Sequence, residues 1–263
     1  MKRKHKILLV GDSCIDIYVF GECTRLSPEA PVPIFNEASR ELRPGMVKNV
    51  YENMLGLNLE VDLLTQKEKI EKTRIVSASH MHHLIRIDNE PDKILPLSID
   101  EINSLDISNY DACVISDYDK GFIAEDAIPF LCNRFFLLKK PVFVDSKKRD
   151  LRCFNNCIIK INMYEYDRVL KYPDKHDLII TLGRNGARYN EKLFPPYHVG
   201  IDNTGHRDVC GAGDTFLSGL VKMYLDKNNM EKAIAFANCC SAIVVNKFGV
   251  IPITEEEAMN NYE

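Results

Sequence analysis

The residues best suited to chemistry stand together in Asp208-Val209-Cys210-Gly211-Ala212-Gly213-Asp214-Thr215-Phe216, just ahead of the apolar positions Leu217, Leu220, Val221 and Tyr224. The spacing of those four predicts an amphipathic helix, so the two glycines and the alanine fall where that helix opens. Small residues there let backbone N–H groups converge on an anion, and the helix dipole adds positive potential. A transferring phosphoryl group fits such a place. Asp214, in the first turn, is then placed to accept a proton from a hydroxyl attacking phosphorus. The same residues also suit a close helix contact with Asp214 as a cap, so the short motif alone leaves both readings open.

The elements that must position this motif read as α/β. Short apolar runs recur at Lys6–Val10, Val61–Leu64, Ala112–Ile115, Val142–Val144, Cys157–Ile159 and Leu178–Leu182, as expected of strands buried on both faces. Between them lie helical spacings such as Ile123, Ile128, Leu131, Phe135 and Leu138, and the alternation predicts a parallel sheet between helix layers. Two closing helices are expected over Gly213–Leu225 and Met230–Lys247. Ile17–Phe35, rich in Pro and turn residues, and Thr73–Ile87, where polar and apolar residues interleave, break the pattern and read as half-exposed strands of a small sheet projecting from one edge. The expectation is a single domain over 1–263 with a β lid formed by about 13–40 and 73–90.

Composition narrows the function. The 263 residues are 45% hydrophobic and 27% charged, enough for a full core. Thirty-four basic against 38 acidic residues give a net charge of −4, which supplies no broad positive field for nucleic acid or an anionic membrane. Nine cysteines without a C-x-x-C pair read as reduced thiols, and a cytoplasmic location is expected. No apolar stretch approaches the roughly 20 residues of a membrane-spanning helix. There is no G-x-x-x-x-G-K-[ST] and no G-x-G-x-x-G after the first strand, which argues against a P-loop kinase and a simple dinucleotide fold. His80 and His82 would share a strand face as a metal pair, but no Cys or carboxylate stands at a suitable offset, and a polar lid strand is favoured.

The closing motif resembles the D-T-x-G-A-G-D signature of the ribokinase-like, or PfkB, carbohydrate kinases. The likeness continues in Thr24-Arg25-Leu26-Ser27-Pro28-Glu29-Ala30-Pro31-Val32-Pro33, which is similar to the lid segment of the bacterial D-glycero-D-manno-heptose 7-phosphate kinases. It extends through Leu84–Asp88, Ile115–Gly121 and Phe236–Asn238 to Val244–Gly249, so it covers essentially the whole chain. The resemblance implies a three-layer α/β/α body with a mostly parallel sheet and a small β lid. It implies ATP-dependent phosphorylation of heptose 7-phosphate at its anomeric hydroxyl, by a kinase domain without the nucleotidyltransferase of the bifunctional relatives.

By the same resemblance Asp214 is the base, and the N–H groups of Gly211, Ala212 and Gly213 neutralise developing charge. Asp12 and Asp16 accept hydrogen bonds from sugar hydroxyls, although Gly11-Asp12 by itself reads as an ordinary strand-to-loop turn. Gly45 and Asn49 match the family's double-glycine motif, whereas Met46 stands where the family has no side chain and narrows the sugar pocket. Arg86 and Lys120 are the first candidates to meet a substrate phosphate, ahead of Lys48 and Lys147; each taken alone reads as a solvated charge. Asn162 and Glu165 match the N-x-x-E motif that holds Mg²⁺ largely through water, and also read as a helix start capped by Asn162. Thr181, Gly183 and Gly186 lie beneath the ATP phosphates in a segment whose Asn185-Gly186 is equally a hairpin signal. Asn238 borders the adenine slot. Asp208 belongs to a potassium loop in which Cys210 replaces the usual Thr.

Relative to the family, helices are missing between Gln66 and Thr73 and between Arg168 and His176. Apolar surface so uncovered would favour oligomers, and a homodimer through the lid is expected. The alternatives are a kinase of another sugar, fructose- or ribose-like, and a catalytically weak pseudo-kinase that binds sugar phosphate or nucleotide.

Overall fold

The computed structural model describes residues 3–197, 209–247 and 249–262. The chain opens with β1 (Lys6–Gly11), β2 (Ser13–Leu26), β3 (Pro33–Met46), α1 (Val47–Gly56), β4 (Glu60–Leu64), β5 (Glu71–Ser77) and β6 (His82–Asn89). It continues through α2 (Ile99–Ser104), β7 (Ala112–Asp117), α3 (Ile128–Leu137), β8 (Val142–Ser146), β9 (Cys157–Asn162), α4 (Met163–Tyr166) and β10 (His176–Thr181). It closes with β11 (Ala187–Tyr189), β12 (Lys192–Phe194), α5 (Ala212–Lys227), α6 (Met230–Val245) and α7 (Glu255–Tyr262).

Eight strands form the central sheet in the order β12-β11-β10-β9-β8-β7-β1-β4, parallel from β4 to β10 and antiparallel at β11 and β12. Alternate strand residues feed two cores, because successive side chains point to opposite faces. Ile7, Leu9, Val114 and Phe143 pack with α1, α5, α6 and α7, while Leu8, Val10, Ile115 and Val144 pack with α2 and α3. The three layers expected from the alternation are therefore present.

Each of the six apolar runs coincides with a strand, with ends at most three residues from those read in the sequence, and α5 and α6 occupy the two closing helical segments. The short strands β11 and β12 carry too few residues to show a period, and only the Asn185-Gly186 hairpin signal points to them. No helix stands between β4 and β5 or between α4 and β10, so both expected deletions are real in the structure.

The second sheet, ordered β3-β2-β5-β6, is the lid. It is larger than the sequence suggests: β2 starts two residues after β1 ends, and β3 runs to Met46 at the mouth of α1. The polar stretch 36–46 carries no apolar alternation because its side chains are mostly exposed. Its strand character comes from antiparallel pairing with β2, which ties Cys14 to Gly45 and Asp16 to Arg43. The sheet faces left by the missing helices are not laid bare. Large exposed apolar side chains instead include Leu84, Ile85 and Ile87 on β6, and Phe136 and Leu137 on α3.

Candidate functional site

The site lies at the carboxyl ends of the parallel strands, where α/β sheets characteristically place ligands, under the lid sheet. A cleft of about 140 Å³ is walled by the start of α5, the start of α1, and one face of β2 and β5. Gly211 opens α5 with φ 78°, a left-handed conformation that glycine takes without penalty. A Cβ on Gly211 would meet Asn49 Nδ2 at 2.8 Å, and one on Gly213 would meet Lys160 Nζ at 3.0 Å. The small residues thus admit two polar side chains to the helix end. Helix N–H groups in the first turn have no intrahelical acceptors, so the start of α5 is an anion-binding surface beside Lys160.

Asp214 sits in that first turn, buried at 6% exposure. Its two oxygens are held from opposite sides: Asn49 Nδ2 donates to Oδ2 at 2.7 Å and Tyr118 Oη donates to Oδ1 at 2.8 Å. Burial pushes its pKa up to about 6, with Asp145 adding to the rise and the bonds from Asn49 and Tyr118 and the charge of Lys160 opposing it. Each carboxylate oxygen keeps a further lone pair, so the group is oriented and still able to accept a proton. Asn49 is itself fixed, its Oδ1 taking a bond from Asn53 Nδ2 at 3.0 Å.

The opposite wall is the lid. The parallel register pairs Asp16 with Lys72 and Tyr18 with Arg74, which places all four side chains on one face. Arg74 forms an ion pair with Asp16 and lies 5.4 Å from the Tyr18 ring centroid, while Arg43 lies 4.9 Å from the same ring. Lys72 has no ion-pair partner among the described residues; burial lowers its pKa, and its Nζ stands 5.8 Å from the Tyr118 ring centroid. A half-buried ammonium that forms no ion pair among the described residues, next to a guanidinium, is a place for an anion.

Of the residues singled out in the sequence, Gly211, Ala212, Gly213, Asp214, Asn49, Gly45 and Asp16 meet around this cleft. Gly45 allows a close approach, since a Cβ there would strike Asp16 and Cys14. Met46 lines the cleft with φ 56° and ψ −131°, a costly conformation for a side-chain-bearing residue. Asp12 lies beneath: it is fully buried and accepts from the N–H groups of Tyr118 at 2.8 Å, Phe122 at 3.3 Å and Lys120 at 3.4 Å, which shapes the turn that carries Tyr118. Arg86 and Lys120 are not brought to the cleft. Arg86 is exposed on the outer strand β6 and donates to Asp88 at 2.8 Å, and Lys120 Nζ donates to Glu90 at 2.7 Å. Both motif cations therefore answer neighbouring carboxylates, and Lys72 and Arg74 occupy the place sought for them.

On the far side of Asp214, Asn162 and Glu165 form a reciprocal capping box at the end of β9: Glu165 N–H donates to Asn162 Oδ1 at 2.8 Å, and Asn162 N–H to Glu165 Oε2 at 2.9 Å. Lys147 Nζ donates to Glu165 Oε1 at 2.9 Å, and Lys160 pairs with Asp145 at 2.6 Å. Thr181 ends β10, and Gly183 and Gly186 shape the turn between the antiparallel strands β10 and β11, so the hairpin reading holds for that turn. Asn238 on α6 donates to the carbonyl of Pro195 at 3.0 Å and holds the exit of β12. Asp208 lies outside the described residues.

Tyr118, Lys72, Arg74 and Lys160 have no assigned role in the sequence reading. Tyr118 falls within a quoted motif, but only the pairing of β2 with β5 reveals the two lid cations.

Residues 164–257 match the pfkB family carbohydrate kinase pattern. Over 99% of its length the chain is 29% identical to the bifunctional protein HldE of a Nitratiruptor species, of which it covers 65%. The chain thus spans a little under two thirds of that curated relative. Among solved structures, phosphofructokinase-2 of Escherichia coli in complex with potassium aligns with a TM-score of 0.72 at 15% identity, covering 99% of this chain and 98% of that one. Arabidopsis thaliana ribokinase complexed with ribose and ATP aligns with a TM-score of 0.70 at 13% identity, covering 99% of each.

Proposed function

We infer that this chain, a pfkB-family member of ribokinase-like fold, is an ATP-dependent carbohydrate kinase whose acceptor is itself phosphorylated, with D-glycero-D-manno-heptose 7-phosphate as substrate and the anomeric hydroxyl as the attacking group. One observation carries the reading: a buried, oriented carboxylate at a helix N-terminus faces a lysine without an ion-pair partner and an arginine across the same cleft. The carboxylate and the helix end supply a base and an oxyanion site. The lid cations supply the means to hold a substrate phosphate away from the reacting centre. The resemblance of Thr24–Pro33 to the heptose kinase lid selects the sugar.

In this reading the sugar hydroxyl gives its proton to Asp214 as its oxygen forms a bond to the γ-phosphorus, and the bond from that phosphorus to the β–γ bridging oxygen of ATP breaks to release ADP. The N–H groups at Gly211, Ala212 and Gly213 face the charge that develops on the transferred group, and Lys160 adds a positive charge beside them. Asp16, held by Arg74, presents a carboxylate to sugar hydroxyls. Among the described residues no cluster of three or more His, Cys, Asp or Glu side chains could cage a metal. The available donors fit Mg²⁺, which keeps several waters and takes one or two carboxylates: Glu165 and Asn162 would meet it through water, with Asp145 nearby. Mg²⁺ bound to ATP neutralises phosphate charge. The family resemblance points to a potassium loop that includes Asp208, which lies outside the described residues.

The exposed Ile85 and Ile87 on the outer strand of the lid support pairing with a second copy there. All nine cysteines are free, which supports a reducing, cytoplasmic setting. Among the described residues no helix is long and apolar enough to cross a membrane.

The test is ADP production by the purified protein with Mg-ATP and potassium, comparing heptose 7-phosphate with fructose 6-phosphate, fructose, ribose and no sugar. Turnover dependent on heptose 7-phosphate supports the reading. Turnover confined to another sugar keeps the chemistry and overturns the substrate; binding with no turnover on any sugar makes the protein a pseudo-kinase.

A further inference from the structure

We propose that Tyr118 is the positioning residue of the Asp214 base, fixed between the cations of the two halves of the cleft so that the base is aligned by the same side chain that borders both anion sites. The inference rests on the kinase reading and adds a role that none of the family motifs assigns. Contacts through three parts of the residue carry it: hydroxyl, ring and backbone. The hydroxyl donates to Asp214 Oδ1 at 2.8 Å, opposite the bond from Asn49 to Oδ2. The ring is flanked by Lys147 Nζ at 4.7 Å, which also binds Glu165 on the nucleotide side, and by Lys72 Nζ at 5.8 Å on the lid side. The backbone N–H is anchored on the buried Asp12 Oδ2 at 2.8 Å.

A tyrosine suits this place. Its ring face attracts ammonium groups while its edge carries a donor. Burial and the neighbouring Asp214 and Asp145 push the phenol well above its ordinary pKa, so at neutral pH it stays protonated and can only donate to a carboxylate. Two donors from different elements then leave Asp214 little rotational freedom. Loss of one would free the carboxylate to turn away from an attacking hydroxyl. The other groups that act on Asp214 are Lys147 and Asp145 from the β8 region, Lys160 from β9 and Cys14 from β2. None of these is hydrogen-bonded to the Tyr118 hydroxyl, whose bond goes to Asp214, so a change confined to that oxygen removes that bond and leaves these groups in place.

The experiment compares Tyr118→Phe with the wild type. The ring and its two ammonium neighbours remain, and only the hydroxyl is lost. The expected result is a fall in kcat of about tenfold to a hundredfold, the effect of losing one hydrogen bond to a charged group, with KM for the sugar phosphate almost unchanged. The acid limb of the kcat–pH profile moves upward, because a bond that favours the ionised base is gone. The Asp214 carboxyl, followed by ¹³C NMR during a pH titration without substrate, moves in the same direction. Tyr118→Leu, which also removes the ring, raises KM for both ATP and sugar phosphate beyond Tyr118→Phe. A Tyr118→Phe enzyme with wild-type kcat, or a lowered kcat with an unmoved acid limb and unmoved Asp214 titration, overturns the assignment, as does a Tyr118→Leu enzyme with unaltered KM values. If the wild type turns over no sugar, the kinase reading falls, and the NMR titration still decides whether Tyr118 governs Asp214.

Discussion

Asp214→Asn should inactivate the enzyme and stabilise it. Burial raises the carboxyl from 3.8 to about 6, so at pH 8 the fold holds an ionised group in a place that favours its neutral form. A shift of about two units at about 1.4 kcal/mol each costs about 3 kcal/mol. The amide removes that charge but cannot accept from both Asn49 and Tyr118 in the way the carboxylate does, which returns about 1 kcal/mol. The net gain of about 2 kcal/mol corresponds to a rise in Tm of about 4–8 °C for a chain of this size. The difference shrinks in acid. Between about pH 4 and pH 6 the folded protein binds a proton here that the unfolded chain releases, so wild-type stability climbs as pH falls through that window and the advantage of the amide fades. Asp117 is also raised to about 6 but is present in both proteins, so the difference between them reports on Asp214 alone. Calorimetry at pH 8 and pH 4 measures it. An Asn variant that melts at or below the wild type at pH 8, or whose advantage persists undiminished at pH 4, refutes the argument that this base is held at a cost in stability.

The lid cations are separated from the motif cations by substitution. Lys72→Ala should raise KM for the phosphorylated sugar about tenfold to a hundredfold, whereas Arg86→Ala, which breaks only an exposed pair with Asp88, should change it by less than about threefold; steady-state kinetics on each variant checks both. Gly211→Ala forces a side chain into a left-handed conformation and against Asn49, so kcat should fall at least about tenfold and Tm should drop, measured by turnover and by thermal melting.

Much of this was legible in the residue order, for identifiable reasons. Strands such as Ile7–Val10 are buried on both faces and announce themselves as continuous apolar runs, and Gly211-Ala212-Gly213-Asp214 marks a helix start by composition alone. The lid was harder. In β5 the alternation of Lys72 and Arg74 with Thr73 and Ile75 shows that the two cations share a face, but which face meets the cleft is decided by the register with Asp16 and Tyr18 on β2, set over 50 residues away. Arg86 and Lys120 lie in recognisable motifs, yet Asp88 and Glu90 stand close enough to occupy them. Asp12 is a similar case: its carboxylate is spent on three backbone N–H groups that no spacing rule would reveal.

Under the proposed function, Asp214 is the base for phosphoryl transfer from ATP to a phosphorylated sugar. The most direct measurement is ³¹P NMR of the product formed from Mg-ATP and heptose 7-phosphate by the wild type and by Asp214→Asn at pH 8. With the wild type, a second phosphate is expected on the sugar at the anomeric carbon, and with the variant a rate about 10²–10⁴-fold lower. Equal rates for the two proteins, or no sugar bisphosphate from the wild type, would contradict it.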